Sequence, residues 1–201
     1  CEYALGNAGN TEELKEALEV IQRQGYRMSR LIETLLTLTR IEQNTGYYPM
    51  EKANISSLAE DACRDMRLSA GHGIAIETEI ADNVYAEINP QLFCLMLDNL
   101  LKNACRYGRE NGKIKVTLRV KSNEIELKVA DDGIGIGERD LPHIWERFYR
   151  GGNSRGKKGM GLGLSLVQQI VRYQQGRITV SSAVGEGTEF CIIFEKVREE
   201  K

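Results

Sequence analysis

The sequence has no run of about 18 apolar residues and no basic-then-apolar leader, so no part of it is expected to span a membrane or direct secretion. Charge of one sign is not in excess either. The 27 lysines and arginines are interspersed with 29 aspartates and glutamates for a formal net charge of −2, and without a polybasic footprint nucleic acid and anionic lipid are poor partners. The five cysteines, Cys1, Cys63, Cys94, Cys105 and Cys191, form no Cys-x-x-Cys pair and are odd in number. That suits reduced thiols of a cytosol and gives thiolate metal capture no pattern. Histidine is limited to His72 and His143. There is no internal repeat and no low-complexity tract. What the chain does have is 201 residues, 41% of them hydrophobic, enough to bury the core of one ordinary domain with a smaller appendage. It starts at Cys1 rather than a methionine, which is read as the boundary of a fragment.

Apolar residues Leu14, Leu18, Ile21, Met28, Ile32 and Leu35 fall at alternating steps of four and three, predicting one long helix from Thr11 to Asn44 with Thr11 as N-cap. Gly25 in the seam and the extra apolar Leu31, Leu36 and Leu38 favour a helical bundle over a strict two-stranded coil. Cys1 to Leu5 is read as the end of a preceding helix. Gly46 and Pro49 break the pattern, so Thr45 to Asn54 is the expected linker. Beyond it the pattern predicts a helix capped by Ser56 or Ser57 and reaching Ser69, a strand over 74–80, and a helix opened by Asn89-Pro90 and running to Tyr107. Strands over 113–121 and 124–130 joined by Ser122-Asn123, a helix over 162–175, and strands over 177–183 and 188–195 complete the reading. The fold class is α+β: a two-layer α/β sandwich, helices on one face of a largely antiparallel sheet, preceded by a long helix.

Three short segments carry chemistry. Asp131-Asp132-Gly133-Ile134-Gly135-Ile136 ends a strand; a carboxylate there can accept from an exocyclic amine, and the glycines let backbone approach a flat ring. A strand-ending Asp-Gly turn is also commonplace. Gly159-Met160-Gly161-Leu162-Gly163-Leu164 precedes an apolar-periodic helix, where unobstructed N–H groups form a phosphate cradle. A polar, basic loop rather than a strand comes before it, so a dinucleotide fingerprint does not apply, and the lysine-plus-hydroxyl ending of a P-loop is missing. Such a loop could also be only a flexible connection. Asn99, Asn103 and Tyr107 project from one helix face; two amides on a packed stripe need partners, and Mg²⁺ takes hard oxygen ligands.

Taken in order, these segments resemble sensor histidine kinases. Asn99-Leu100-Leu101-Lys102-Asn103-Ala104-Cys105-Arg106-Tyr107 is similar to their N box, and Asp131-Asp132-Gly133-Ile134-Gly135 to their first glycine box. Ile144-Trp145-Glu146-Arg147-Phe148-Tyr149-Arg150 resembles the phenylalanine-centred box beside the ATP lid. Gly159 to Gly163 is similar to the second glycine box, and Gly185-Glu186-Gly187-Thr188 to a final Gly-x-Gly-Thr. The resemblance covers most of Ala53 to Lys196. It implies an ATP-binding sandwich shared with type II topoisomerases, heat-shock chaperones and mismatch-repair ATPases, with ATP and Mg²⁺ as ligands. Asn103 would ligand Mg²⁺, Asp131 would bond the adenine amine, and Tyr107 would stack on or flank the base. Gly133, Gly135, Ile136, Gly159, Gly161, Leu162, Gly163 and Thr188 would complete the nucleotide contacts. Arg106, Arg147 and Arg150 would reach phosphates, with Lys157 and Lys158 on the lid, and Asn99, Arg106 and Arg147 would stand nearest the transferred group. For the lid residues a solvated surface role competes.

The related hydrolases resemble Glu-x-x-x-Asn on this helix, whereas this chain has Asn99-x-x-x-Asn103. An amide cannot act as general base, so the phosphoryl group is left for a side-chain nucleophile. The family's acceptor is a histidine in a His-Glu/Asp-x-x-x-Pro segment, which this sequence lacks; neither His72 nor His143 matches. The resemblance therefore divides the chain into 1–46, part of a dimerisation hairpin without its phosphoacceptor, a linker over 47–53, and an ATP-binding catalytic domain over 54–201. Expected partners are a response-regulator receiver domain and a second copy through the hairpin, with no nucleic acid and no direct membrane contact. The expected setting is the cytoplasmic side of an inner- or plasma-membrane sensor. A protein-serine kinase of the anti-sigma or mitochondrial dehydrogenase-kinase type is the rival on the same sandwich, and a nucleotide-free scaffold is a third reading.

Overall fold

A computed structural model describes residues 11–43, 46–69, 73–151 and 160–196. It divides into two compact units, Cys1–Arg40 and Ile41–Lys201. Helix α1 runs Thr11–Gln43, as the spacing predicts; the expected helix over Cys1 to Leu5 and the Asn44 end lie outside the described residues. Leu14, Leu18, Ile21, Met28 and Ile32 of the seam are all exposed, and nothing among the described residues covers them. No helix among the described residues is long and apolar enough to cross a membrane.

The second unit contains β1 (Glu51–Asn54), α2 (Ile55–Ser69), β2 (Ala75–Ile80), β3 (Tyr85–Ile88), α3 (Pro90–Tyr107), β4 (Lys113–Lys121), β5 (Glu124–Asp131), α4 (Gly163–Tyr173), β6 (Arg177–Ala183) and β7 (Gly187–Glu195). Five strands form one sheet in the order β2-β4-β5-β7-β6, antiparallel throughout except for the parallel pair β2 and β4. Alternation sorts its two faces. Ile114, Val116, Leu118, Ile125, Leu127, Val129, Phe190, Ile192 and Phe194 are buried, as are Leu92, Phe93, Met96, Leu97, Leu100 and Leu101 of α3 and Leu166, Val167, Ile170 and Val171 of α4. Phe93 and Phe194 bring helix and sheet together with ring centroids 6.2 Å apart. The alternate positions pair as ions: Lys113 with Glu77 at 3.0 Å, Arg119 with Glu79 at 2.7 Å and Lys128 with Glu189 at 2.8 Å. Exposed pairs of this kind add little stability, but they mark the solvated face.

Two short strands depart from the sequence reading. β1 lies inside the expected linker and pairs antiparallel with β3, which the pattern did not suggest; four residues apiece are too few for alternation to register. The cap of α2 also differs. Asn54 Oδ1 accepts from the N–H groups of Ser56 and Ser57 at 3.1 and 3.2 Å, so the cap is Asn54. The buried Ser56 hydroxyl instead donates to Ala81 O at 2.6 Å and accepts from Val84 N–H at 3.0 Å.

The start of α3 forms as expected: Asn89 Oδ1 accepts from Leu92 N–H at 3.0 Å, with Pro90 in the first turn. The same side chain donates through Nδ2 to Pro49 O at 2.9 Å, while Asn89 N–H donates to Gln174 Oε1 at 3.0 Å. One buried asparagine thus ties the entry segment, α3 and the end of α4. Asn89→Ala removes a cap and a tether together, and we expect a loss of about 1–3 kcal/mol in urea unfolding; an unchanged midpoint would refute this role.

Candidate functional site

Asp131 ends β5 between Ile114 of β4 and Thr188 of β7. Its Oδ1 accepts from Gly133 N–H at 2.9 Å. Burial pushes its pKa up, the hydrogen bonds from the Gly133 and Thr188 backbone oppose that, and neighbouring Asp132 adds to it. The glycines that follow serve packing of backbone on backbone. A Cβ on Gly133 would stand 2.2 Å from Tyr107 O, and one on Gly135, at φ +67°, would stand 1.9 Å from Ala183 O. Ile134 N–H donates to Tyr107 O at 3.0 Å, and Gly185 N–H donates to Ile134 O at 2.9 Å. Ile136 N–H donates to Ser182 Oγ at 2.8 Å, a hydroxyl that also bonds Gly187 O at 2.7 Å and the Thr188 hydroxyl at 3.0 Å. The turn is therefore fastened between the end of α3 and the β6–β7 connection. Gly133 and Gly135 thus stand in close approach to these backbone neighbours.

One helical turn before Tyr107 on α3 comes Asn103, and one before that Asn99. Asn99 Nδ2 donates to Leu95 O at 2.8 Å. Its Oδ1 lies 3.1 Å, and Asn103 Nδ2 3.9 Å, from where a Cβ on Gly163 would stand, so the first residue of α4 faces this amide stripe. Leu162, buried at the N-cap position, gives no side-chain cap to the first-turn N–H groups, and a helix start of this kind is suited to an anion. Gly161 adopts φ +71°, and a Cβ on it would stand 2.6 Å from the Phe148 carbonyl carbon. Phe148 N–H donates to Gly161 O at 2.8 Å. α3 thus carries the Asp131–Gly133 turn at its end and the Gly163 helix start beside its middle.

The basic residues are placed less uniformly. Arg106 is exposed on the last turn of α3, and Arg150 is half-buried with its Nε sealed from solvent. Arg147 instead pairs with Glu42, within the second compact unit, which sequence reasoning could not find across such a separation. Lys157, Lys158 and Gly159 lie outside the described residues, as does His72. His143 Nδ1 lies 2.7 Å from Glu146 Oε1. Among the described residues no group of three or more His, Cys, Asp or Glu side chains could hold a metal ion. A divalent cation held by a single amide oxygen and by phosphates still fits hard-cation chemistry. Burial pushes the Cys63 thiol up to about 11 and the Cys94, Cys105 and Cys191 thiols upward too, so none is poised as a thiolate.

Residues 88–198, more than half of the chain, match the family described as Histidine kinase-, DNA gyrase B-, and HSP90-like ATPase. Residues 3–44 match the His Kinase A (phospho-acceptor) domain. Among the relatives is Sensor histidine kinase RppB of Synechocystis, 33% identical over 92% of this chain and 42% of that protein. Another is Signal transduction histidine-protein kinase ArlS of Staphylococcus aureus, 34% identical over 90% of this chain and 41% of that protein. The chain thus spans under half the length of the curated relatives it matches. Among solved structures, the Acinetobacter baumannii histidine kinase AdeS aligns with a TM-score of 0.73 at 25% identity, over 90% of this chain and 84% of that one. The chain belongs to the histidine kinase-, DNA gyrase B- and HSP90-like ATPase family. It is a sandwich of the kind the alternating strands and helices predict, and it is an ATP-binding chain.

Two predictions follow from the geometry. Gly135→Ala forces a Cβ into Ala183 O at a positive φ, whereas Gly163→Ala asks only a few tenths of an ångström of Asn99; urea unfolding should show a loss above about 3 kcal/mol for the first and under about 1 for the second, and equal losses would contradict the packing. The Asp131 pKa is raised in the fold, so its favourable contribution is complete at low pH and is lost as pH rises through the folded value. Asp131→Asn should therefore raise the urea midpoint of the nucleotide-free chain at neutral pH and not at about pH 3.5; a lowered midpoint at neutral pH would refute the account.

Proposed function

We propose that this chain is the ATP-binding catalytic part of a sensor histidine kinase, carrying one helix of the dimerisation hairpin. The observation that carries the reading is that one face of α3, bearing Asn99, Asn103 and Tyr107, meets both glycine turns: Gly133 at its end and Gly163 at its middle. A base beside Asp131 and phosphates at the start of α4 are then spanned by a single rigid element. The hairpin part is assigned to residues 1–46 and the ATP-binding domain to 54–201. The intervening 47–53 holds most of β1, whose pairing with β3 makes it part of the folded unit.

In this reading the Asp131 carboxylate, fixed by Gly133 N–H, accepts from the adenine amine, and Tyr107 flanks the ring. Gly135, Ile136 and Thr188 shape that end through the backbone and hydroxyl contacts described. The N–H groups that open α4 at Gly161, Leu162 and Gly163 receive phosphate oxygens; Gly159 and Lys157, which the family resemblance adds as nucleotide contacts, lie outside the described residues. Arg106 and Arg150 add guanidinium donors, whose fork suits phosphate; Arg147 joins them when it leaves Glu42. Mg²⁺, held through Asn103, would neutralise phosphate charge. Asn99 supplies an amide where a hydrolase would need a general base, so water is not activated at that position. The γ-phosphoryl passes instead to a histidine of the full-length protein, with the Pγ–O bond to ADP breaking as the P–N bond forms, and thence to a response-regulator aspartate. Dimerisation through the exposed seam of α1 and a cytoplasmic position beneath a membrane sensor complete the proposal.

Calorimetry tests it. ATP affinity should fall about ten- to a hundredfold in Asp131→Asn and in Asn103→Ala, and undiminished binding in both would overturn the assignments. With labelled ATP and a histidine-bearing acceptor segment added in trans, acid-labile label on that segment supports the histidine-kinase reading. Acid-stable label would point to the serine-kinase alternative.

A further inference from the structure

Asp140 has no part in the reading above. It precedes the short 3-10 helix Leu141–His143, yet its side chain makes no capping hydrogen bond there. Its backbone holds the turn: its N–H donates to Gly137 O at 2.9 Å, and its carbonyl accepts from His143 N–H at 2.9 Å. The carboxylate is directed at the segment after Phe148. Oδ1 accepts from the Tyr149 hydroxyl at 2.6 Å, and Oδ2 lies 2.7 Å from where a Cβ on Gly151 would stand. Tyr149 is further placed by the His143 ring, 5.4 Å away between centroids. Its carbonyl oxygen lies 2.7 Å from where a Cβ on Gly161 would stand. Residues on both sides of Arg150 are thus in contact with one half-buried carboxylate, and Tyr149 also abuts the glycine that leads into α4.

We infer that Asp140 is a positioning residue for the phosphate end of the nucleotide, acting through Tyr149. The turn it belongs to continues from Gly133 and Gly135 and so is fixed to the base end. The charge-assisted bond from phenol to carboxylate sets where Arg150 and Gly161 stand relative to that end. A phenol held by its ring and its hydroxyl together has little freedom, so the distance between the two ends of the site is fixed before ligand arrives, which lowers the ordering cost of binding. The inference rests on the nucleotide reading above. It predicts that loss of the phenol–carboxylate bond weakens the hold on phosphate without unfolding the domain.

The test is a double-mutant cycle read by ATP calorimetry, with nucleotide-free thermal unfolding alongside. Tyr149→Phe and Asp140→Ala should each raise the Kd for ATP about five- to tenfold, and the double variant should lose no more than the worse single one. Asp140→Asn, whose amide oxygen still accepts from the phenol, should stay within about twofold. The nucleotide-free midpoint of Tyr149→Phe should not move. Unchanged ATP affinity in Tyr149→Phe, additive losses, or a fall in the nucleotide-free midpoint that parallels the loss of binding would each overturn the proposal. If the unaltered chain binds ATP and the variants bind it equally, only this inference fails; if the unaltered chain binds none, the nucleotide reading fails and this one with it.

Discussion

Gly133 and Gly163 let two turns of backbone come against α3 at positions where a side chain would collide or crowd, and the site depends on that approach. A Cβ at residue 133 would overlap the Tyr107 carbonyl, and one at residue 163 would press on Asn99. Because both contacts fall on the same helix, the carboxylate of Asp131 and the open N–H groups of α4 are placed relative to each other by one rigid rod rising roughly 1.5 Å per residue. The apolar face of that rod, Leu92 to Leu101, is buried against the sheet. Packing of the core and placement of the site are therefore one problem solved by one element.

Burial of Asp131 runs against stability, and in the proposed function it serves recognition. A carboxylate taken out of water is raised in pKa, and here hydrogen bonds from the Gly133 and Thr188 backbone offset only part of that cost. The unmet remainder is what a donor amine would relieve. The exposed seam of α1 presents a similar incompleteness on a larger scale, since Leu18, Met28 and Ile32 are apolar yet exposed among the described residues.

Long, strongly patterned elements were legible in the sequence. α1, α3 and the β4–β5 hairpin declare themselves through spacing, through Asn89-Pro90 and through Ser122-Asn123, and the ordered glycine boxes brought Asp131, Asn103 and Gly163 into one reading. What stayed hidden depends on contacts far apart in sequence. β1 and β3 are too short to show a period, and Asn54 displaced Ser56 as a cap because Ser56 is bonded to Ala81 and Val84 across 25 and 28 residues. Likewise, the pairing of Arg147 with Glu42 joins residues far apart in sequence. Asp140 bears no motif, and only the fold brings Tyr149 to it.

Amide hydrogen exchange with and without Mg-ATP tests the shared wall most directly. If α3 carries both ends of the nucleotide, saturating ATP should slow exchange together at 133–136 and at 163–166, flanking a stabilised 103–107. Protection confined to one of those segments, or found only on α1, would contradict it.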